Sequence, residues 1–253
     1  TWLAYGDSVT AICNGNGLNL GWAQRINAEL GISAFYGRGV GGQTYLWNNN
    51  TFQVDTITGE YITRGGASDN CLGCFCSWER VSSMIPASIA SDIDLVIVMG
   101  GTNDINASGI TIAEGLPTFS ASYATDTDWS AASDYTGGDY DVTDFKGAVA
   151  STLMKLQVRC PNAVIALATP IPRWNGTAPY TTNNLTMLDI SKAEIEVAEM
   201  LGIPVIDIHS TVGINGFNYT QYISDGIHPY TTKGKSRLGM AMLSGVKQIE
   251  IMY

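Results

Sequence analysis

Apolar residues along the chain recur with two different periods, and each change of period marks an element. The opening Trp2–Tyr5 reads as a first strand. Trp22, Ile26 and Leu30 recur every four residues and give one apolar helical stripe, which Gly31 stops. Ser33–Tyr36 is a short second strand. Ile93–Met99, unbroken in apolar character from Leu95 onward, has the pattern of a central strand covered on both faces. Phe145, Val149, Leu153 and Leu156 mark the next helix, with Thr143 as its N-cap. Ala163–Ala168 predicts another buried strand. Met187, Ile190, Val197 and Leu201 predict a helix closed by Gly202, and Pro204–Ile208 the last strand. Leu238, Met242, Val246 and Ile249 face the core from a C-terminal helix. Strands alternating with helices of this length build βαβ units. The expected fold is therefore α/β, a three-layer α/β/α sandwich around a central parallel sheet. The 253 residues are read as one domain, 1–253. Two stretches break the alternation, about 45–90 and 104–141, and are read as insertions of the lid or binding-loop kind.

Composition removes several function classes. No apolar run approaches the ~18 residues of a membrane span. The formal net charge is −10, which argues against a nucleic-acid surface, normally basic and clustered, and against docking on anionic lipid. The chain opens almost inside a strand with no signal peptide ahead of it, as expected of a piece trimmed from a longer precursor. Of the five cysteines, Cys71, Cys74 and Cys76 form a C-x-x-C-x-C cluster, and Cys13 and Cys160 are remote. Zinc wants four ligands, the fourth from Cys13, Cys160 or His209, but no second pair has zinc-ribbon spacing. One or two disulfides in an oxidising compartment are expected instead, which points to a secreted or extracellular protein. Asn49, Asn106, Asn175, Asn184 and Asn218 open N-x-S/T sequons, which matter only in a eukaryotic secretory pathway.

In open parallel sheets, ligands bind beyond the carboxyl ends of the strands. Four segments expected there carry candidate chemistry. Gly6-Asp7-Ser8 follows the first strand, Gly39–Thr44 the second, Gly100–Asp104 the central one, and Asp225-Gly226-Ile227-His228-Pro229 comes after the last. His228 is one of two histidines. A carboxylate three residues before it, in a Gly/Pro-bounded loop, can hold one imidazole nitrogen and leave the other free to take a proton. Ser8 supplies the nucleophile that such a pair serves.

These four blocks, in this order and over nearly the whole chain, resemble those of the SGNH (GDSL-type) hydrolase superfamily. Gly6–Ser8 is similar to its Gly-Asp-Ser, and Gly39–Thr44 to its glycine block, with Gly42 the key glycine. Gly101–Asp104 is similar to its Gly-x-Asn-Asp, and Asp225–Pro229 to its Asp-x-x-His-Pro. Val9-Thr10 stands where Leu-Ser is more usual. The resemblance implies a flavodoxin-like sheet and a serine esterase without cofactor or metal. It makes Ser8 the nucleophile, His228 the base and Asp225 the group that orients the imidazole. The Ser8 and Gly42 backbone N–H groups and the Asn103 side-chain amide become the oxyanion hole. Asp7 and Asp104 receive no step and are expected to hydrogen-bond the loops. His209 is expected to be structural. With His228 as base, the rate should fall on the acid side of roughly pH 6–7.

The expected substrate is a short-chain ester, an acetyl group on a carbohydrate or other small molecule, with no nucleic acid and no membrane span involved. Tyr45, Trp47, Trp129, Tyr135, Trp174 and Tyr180 are candidate sugar platforms, or pins that hold the long loops. A lipase, lysophospholipase or thioesterase of the same fold is the alternative. A carbohydrate-binding or adhesin domain is the alternative of another class, and the complete Ser8, Asn103, Asp225 and His228 set weighs against it.

Overall fold

The computed structural model describes residues 1–11, 21–31, 34–46, 52–54, 61–63, 74–76, 78–107, 109–120 and 140–252. The chain begins with strand β1 (Trp2–Gly6), a single helical turn α1 (Ser8–Ala11), helix α2 (Trp22–Leu30) and strand β2 (Phe35–Gly39). Next come the paired strands β3 (Phe52–Val54) and β4 (Tyr61–Thr63), helices α3 (Trp78–Met84) and α4 (Ala87–Ala90), and strand β5 (Leu95–Met99). A 3₁₀ turn at Asp104–Asn106 precedes α5 (Phe145–Arg159) and β6 (Val164–Ala168). Two small hairpins follow, β7 (Trp174–Asn175) with β8 (Ala178–Pro179), and β9 (Thr181–Thr182) with β10 (Leu185–Thr186). The chain continues through α6 (Met187–Leu201), β11 (Val205–Ile206), α7 (Ile208–Thr211), α8 (Tyr219–Tyr222) and α9 (Thr232–Met252).

Five strands form the central sheet in the order β11-β6-β5-β1-β2, and every neighbouring pair is parallel. The middle strands bury both faces. Leu3, Tyr5, Val96, Val98, Ile165 and Leu167 face one core with residues of α5 and α6. Trp2, Ala4, Ile97, Met99, Ala166 and Ala168 face the other with α2 and α9. Alternation therefore exists, but both sides are apolar, which is why these strands read as unbroken runs. The order places the topological switch point between β1 and β5. Chain direction across the sheet reverses there, and a crevice opens at the carboxyl edge.

Glycine stops were legible because each helix ends where the backbone turns left-handed. Gly31 has φ 63° and Gly202 φ 66°. Three boundaries differ from expectation. The second strand runs Phe35–Gly39, displaced toward the glycines. The cap of α5 is Asp144, not Thr143. Asp144 accepts from the N–H groups of Lys146 and Gly147, while Thr143 Oγ1 donates to Asp141. The last strand is only Val205–Ile206, because Asp207 turns the chain into α7 by accepting from Ser210 N.

Candidate active site

Ser8, the glycine block and Asn103 follow the adjacent strands β1, β2 and β5, so the sheet brings their loops to one edge. Asp7 starts α1. Its Oδ1 accepts from Val9 N at 2.8 Å and its backbone carbonyl accepts from Ala11 N at 2.9 Å. The capping role thus falls to Asp7, and the Ser8 hydroxyl is left to face the cleft.

That hydroxyl lies 2.7 Å from His228 Nε2, and His228 Nδ1 lies 2.6 Å from Asp225 Oδ2. The other oxygen of Asp225 accepts from the backbone N–H groups of Ile227, at 2.9 Å, and His228, at 2.7 Å. Burial pushes the Asp225 carboxyl up. The hydrogen bonds from His228 N, His228 Nδ1 and Ile227 N outweigh it and hold the group below the ordinary carboxylate range. An ionised carboxylate only accepts, so Nδ1 carries the proton and Nε2 presents a lone pair to the Ser8 hydroxyl. Residues 225 and 228 are three apart and flank a turn at Gly226, whose φ is +82°. Tyr219 Oη donates to Gly226 O at 2.5 Å and ties this loop to α8.

In the glycine block after β2, Gly42 has φ +76°, and a Cβ there would meet nothing within 4 Å. Backbone conformation, not crowding, is what requires glycine at this position. Asn103 donates through Nδ2 to Gln43 O at 2.8 Å, which fastens the β5 loop to the glycine block. A carboxamide has two N–H groups, so one remains to face a substrate oxygen. Val40 N donates to Gly6 O at 2.9 Å, completing the link among the three loops.

Asp7 and Asp104 each accept a loop N–H. Asp104 Oδ1 accepts from Leu46 N at 2.9 Å. Both carboxyls are buried, and so is Glu194 of α6, which the sequence reading missed. Position 194 fills the gap in the Met187, Ile190, Val197 stripe, which was the available signal. Burial raises Asp7 to about 7 against the hydrogen bond from Val9 N, and Asp104 adds to the rise. Burial likewise raises Asp104 to about 7 against the bond from Leu46 N. Glu194 is pushed well above the carboxylate range by burial, with Asp104 and Asp7 contributing. Groups that hold protons more tightly folded than unfolded stabilise the fold fully below their unfolded values, near 4. That stability is lost as pH rises through the folded values. Tm is therefore expected to decline as pH rises from about 4 through about 7, and to go on declining beyond that as Glu194 ionises. Asp225, shifted the other way, subtracts stability only as pH falls below about 4. Calorimetry across this range checks both limbs, and a Tm rising steadily from pH 5 to 8 would contradict the cluster's assignment.

Other neighbours also escaped the sequence reading. Arg173, after β6, stacks its guanidinium 4.1 Å from the Tyr180 ring centre. Tyr180 Oη donates to Asn106 Oδ1, and Asn183 Nδ2 donates to the carbonyls of Ile105 and Ala107. The β7–β10 segment is thereby pinned to the turn that follows Asn103. The Tyr230 ring lies 4.8 Å from that of His228 and is half exposed. Among the aromatic candidates, Tyr45 is a core residue, packed edge-on against Phe75 and Phe145, so it is no sugar platform. Trp47, Trp129 and Tyr135 lie outside the described residues. His209 donates its backbone N–H to Thr169 Oγ1, and burial lowers its imidazole below the usual range. Cys74, Cys76 and Cys160 are buried, with Cys76 and Cys160 free thiols. Cys13 and Cys71 lie outside the described residues.

A flavodoxin-like parallel sheet that carries a serine–histidine–carboxylate chain at its carboxyl edge is the build of an acylhydrolase. The chain belongs to the GDSL-like lipase/acylhydrolase family, whose model matches residues 4–232; it is a hydrolase of the esterase and lipase kind. Similar solved structures include a Lactobacillus plantarum protein at 19% identity and TM-score 0.63, covering 98% of this chain and 96% of that one. The native M. smegmatis aryl esterase aligns at 16% identity and TM-score 0.56 over 98% of both chains. The lipase/acylhydrolase from Enterococcus faecalis aligns at 16% and 0.54, covering 98% and 95%. At these identities the likeness is one of fold. No curated protein matches the chain. Among the described residues, no helix is long and apolar enough to cross a membrane.

Proposed function

We propose that the protein is a serine esterase that hydrolyses short-chain, chiefly acetyl, esters of a carbohydrate or similar polar alcohol. The observation that carries the esterase reading is the hydrogen-bonded chain Ser8–His228–Asp225, at 2.7 and 2.6 Å. Ser8 Oγ attacks the ester carbonyl as His228 Nε2 takes its proton, and Asp225 stabilises the imidazolium. The carbonyl oxygen becomes an oxyanion that accepts from Ser8 N–H, Gly42 N–H and the second Asn103 Nδ2–H. Collapse expels the alcohol, protonated by His228. Water then repeats the sequence on the acyl-serine, returning carboxylic acid and free enzyme.

Support for a polar, short-chain substrate comes from the cleft's neighbours. The Tyr230 ring stands against His228, and Asn106, Tyr180 and Asn183 form a polar, hydrogen-bonded group beside the turn that follows Asn103. The test is a p-nitrophenyl ester series from acetyl to long chain, followed by acetylated glycans. Rates that peak at acetyl or propionyl support the reading, and rates that climb with chain length replace it with a lipase. Asn103→Ala is expected to lower kcat by about 10²–10³-fold with little change in KM, as loss of one oxyanion donor does elsewhere. Steady-state kinetics checks this; an unchanged kcat removes Asn103 from the oxyanion hole.

A further inference from the structure

Behind the site lies a buried cluster of acids that, among the described residues, has no basic side chain paired with it. Asp7, Asp104 and Glu194 are at most 1% exposed. Asp7 Oδ2, Asp104 Oδ2, both oxygens of Glu194 and the Tyr45 hydroxyl are buried without hydrogen-bond partners among the described residues. β1 and its turn give Tyr5 and Asp7, the glycine block gives Tyr45, the β5 loop gives Asp104 and α6 gives Glu194. Glu194 also touches the backbone of the site. A Cβ on Gly101, whose φ is +82°, would lie 2.8 Å from Glu194 Oε1 and 2.7 Å from Ile190 Cγ2. Gly101 is two residues before Asn103, so the Glu194 side chain forms the floor of the loop that carries it.

A dry carboxylate with neither cation nor donor is too costly to persist. A carboxylic acid costs less and brings a donor. Asp7 and Asp104 each spend one oxygen on a loop N–H, and each leaves the other oxygen unpaired. We propose that Glu194 is a positioning residue: seated against Gly101, its carboxylic acid offers one O–H shared between the unpaired oxygens of Asp7 and Asp104, and so fixes the Ser8 and Asn103 loops relative to each other. Glu194 touches no reacting atom. It acts through Asp7, which starts the Ser8 turn, and through Asp104, which holds Leu46 N beyond the glycine block. The inference rests on the reading of Ser8 as the esterase nucleophile.

Glu194→Gln and Glu194→Met test it. Gln keeps the shape and a donor, whereas Met keeps the volume and removes both polar functions. On a short p-nitrophenyl ester, Gln is expected to retain kcat within about threefold. Met is expected to lose about 10- to 100-fold in kcat, the scale of slight misplacement of reacting groups. KM should stay close to the parent value in both. Met is also expected to lower Tm, because it leaves the buried Asp7 and Asp104 oxygens without a donor. Loss of kcat at unchanged KM in Met, with recovery in Gln, separates the donor role from ordinary packing, which the volume-matched Met would satisfy. A Met variant that turns over like the parent overturns the proposal, as does a Gln variant that loses as much activity as Met. A second readout does not need turnover. Infrared spectra at pH 7 should show a carboxylic-acid carbonyl band that Glu194→Gln removes, and no loss of such a band overturns the donor role. Absence of Ser8-dependent turnover in the parent would instead defeat the esterase reading, leaving the infrared result to decide whether Glu194 is a neutral donor.

Discussion

Ser8→Ala is expected to lower kcat on short-chain esters by about 10⁴-fold or more while leaving Tm essentially unchanged. The size follows from the geometry. In the proposed mechanism the Ser8 hydroxyl, 2.7 Å from His228 Nε2, is the nucleophile, and no alanine variant can form the acyl intermediate. The small effect on stability follows from the same contact, because one hydrogen bond at a partly exposed site contributes roughly 0.5–1.5 kcal/mol. What residue 8 does through its backbone is preserved, since α1 is started by Asp7 and not by the serine side chain. Parallel kinetics and thermal denaturation check both halves. Retention of more than a few per cent of turnover would place the nucleophile elsewhere.

Asp225→Asn should be nearly as damaging, with kcat reduced about 10³–10⁴-fold. Asparagine can keep an oxygen on the Ile227 and His228 amides, so the loop holds its shape. Its NH₂ then faces His228 Nδ1, which must accept, and the proton moves to Nε2, where a base is needed. The ring is therefore held in the unproductive tautomer. KM should change little and Tm should move only slightly, because the Asp225 side chain is 40% exposed and an exposed pair contributes little to folding. Steady-state kinetics on the purified variant settles it. Activity within tenfold of the parent would mean that the carboxylate is not what orients the imidazole.

Much of the fold was legible because parallel strands covered on both faces announce themselves as unbroken apolar runs, and because Gly31 and Gly202 sit where helices must turn left-handed. Boundaries set by side-chain hydrogen bonds were less legible. Thr143 and Asp144 are both good caps in adjacent positions, and only the geometry shows Asp144 bonding the first turn. The short β11 was hidden for the same reason. Asp207 looks like the polar end of a strand until its carboxylate is seen to accept from Ser210 N.

The candidates Ser8, Gly42 and Asn103 stood out because each lies in a short block just after β1, β2 or β5, and Asp225 and His228 because they sit three apart in a Gly/Pro-bounded loop. Glu194 and Tyr219 lie inside helices, where a single polar residue reads as part of the solvated face. Their contacts, to Gly101 and to Gly226, join segments far apart in sequence. Arg173 was hidden differently, as a lone cation in a proline-rich turn. Tyr45 was left open between sugar platform and loop pin because loop aromatics are ambiguous until the core they enter is known.

The most direct test of the serine esterase mechanism is mass spectrometry of the protein quenched in acid during turnover of p-nitrophenyl acetate. A single acetyl adduct that maps to Ser8, forms within the pre-steady-state burst and is absent from Ser8→Ala is the expected result. Turnover without any adduct on Ser8, or an adduct on another residue that Ser8→Ala leaves in place, would contradict it.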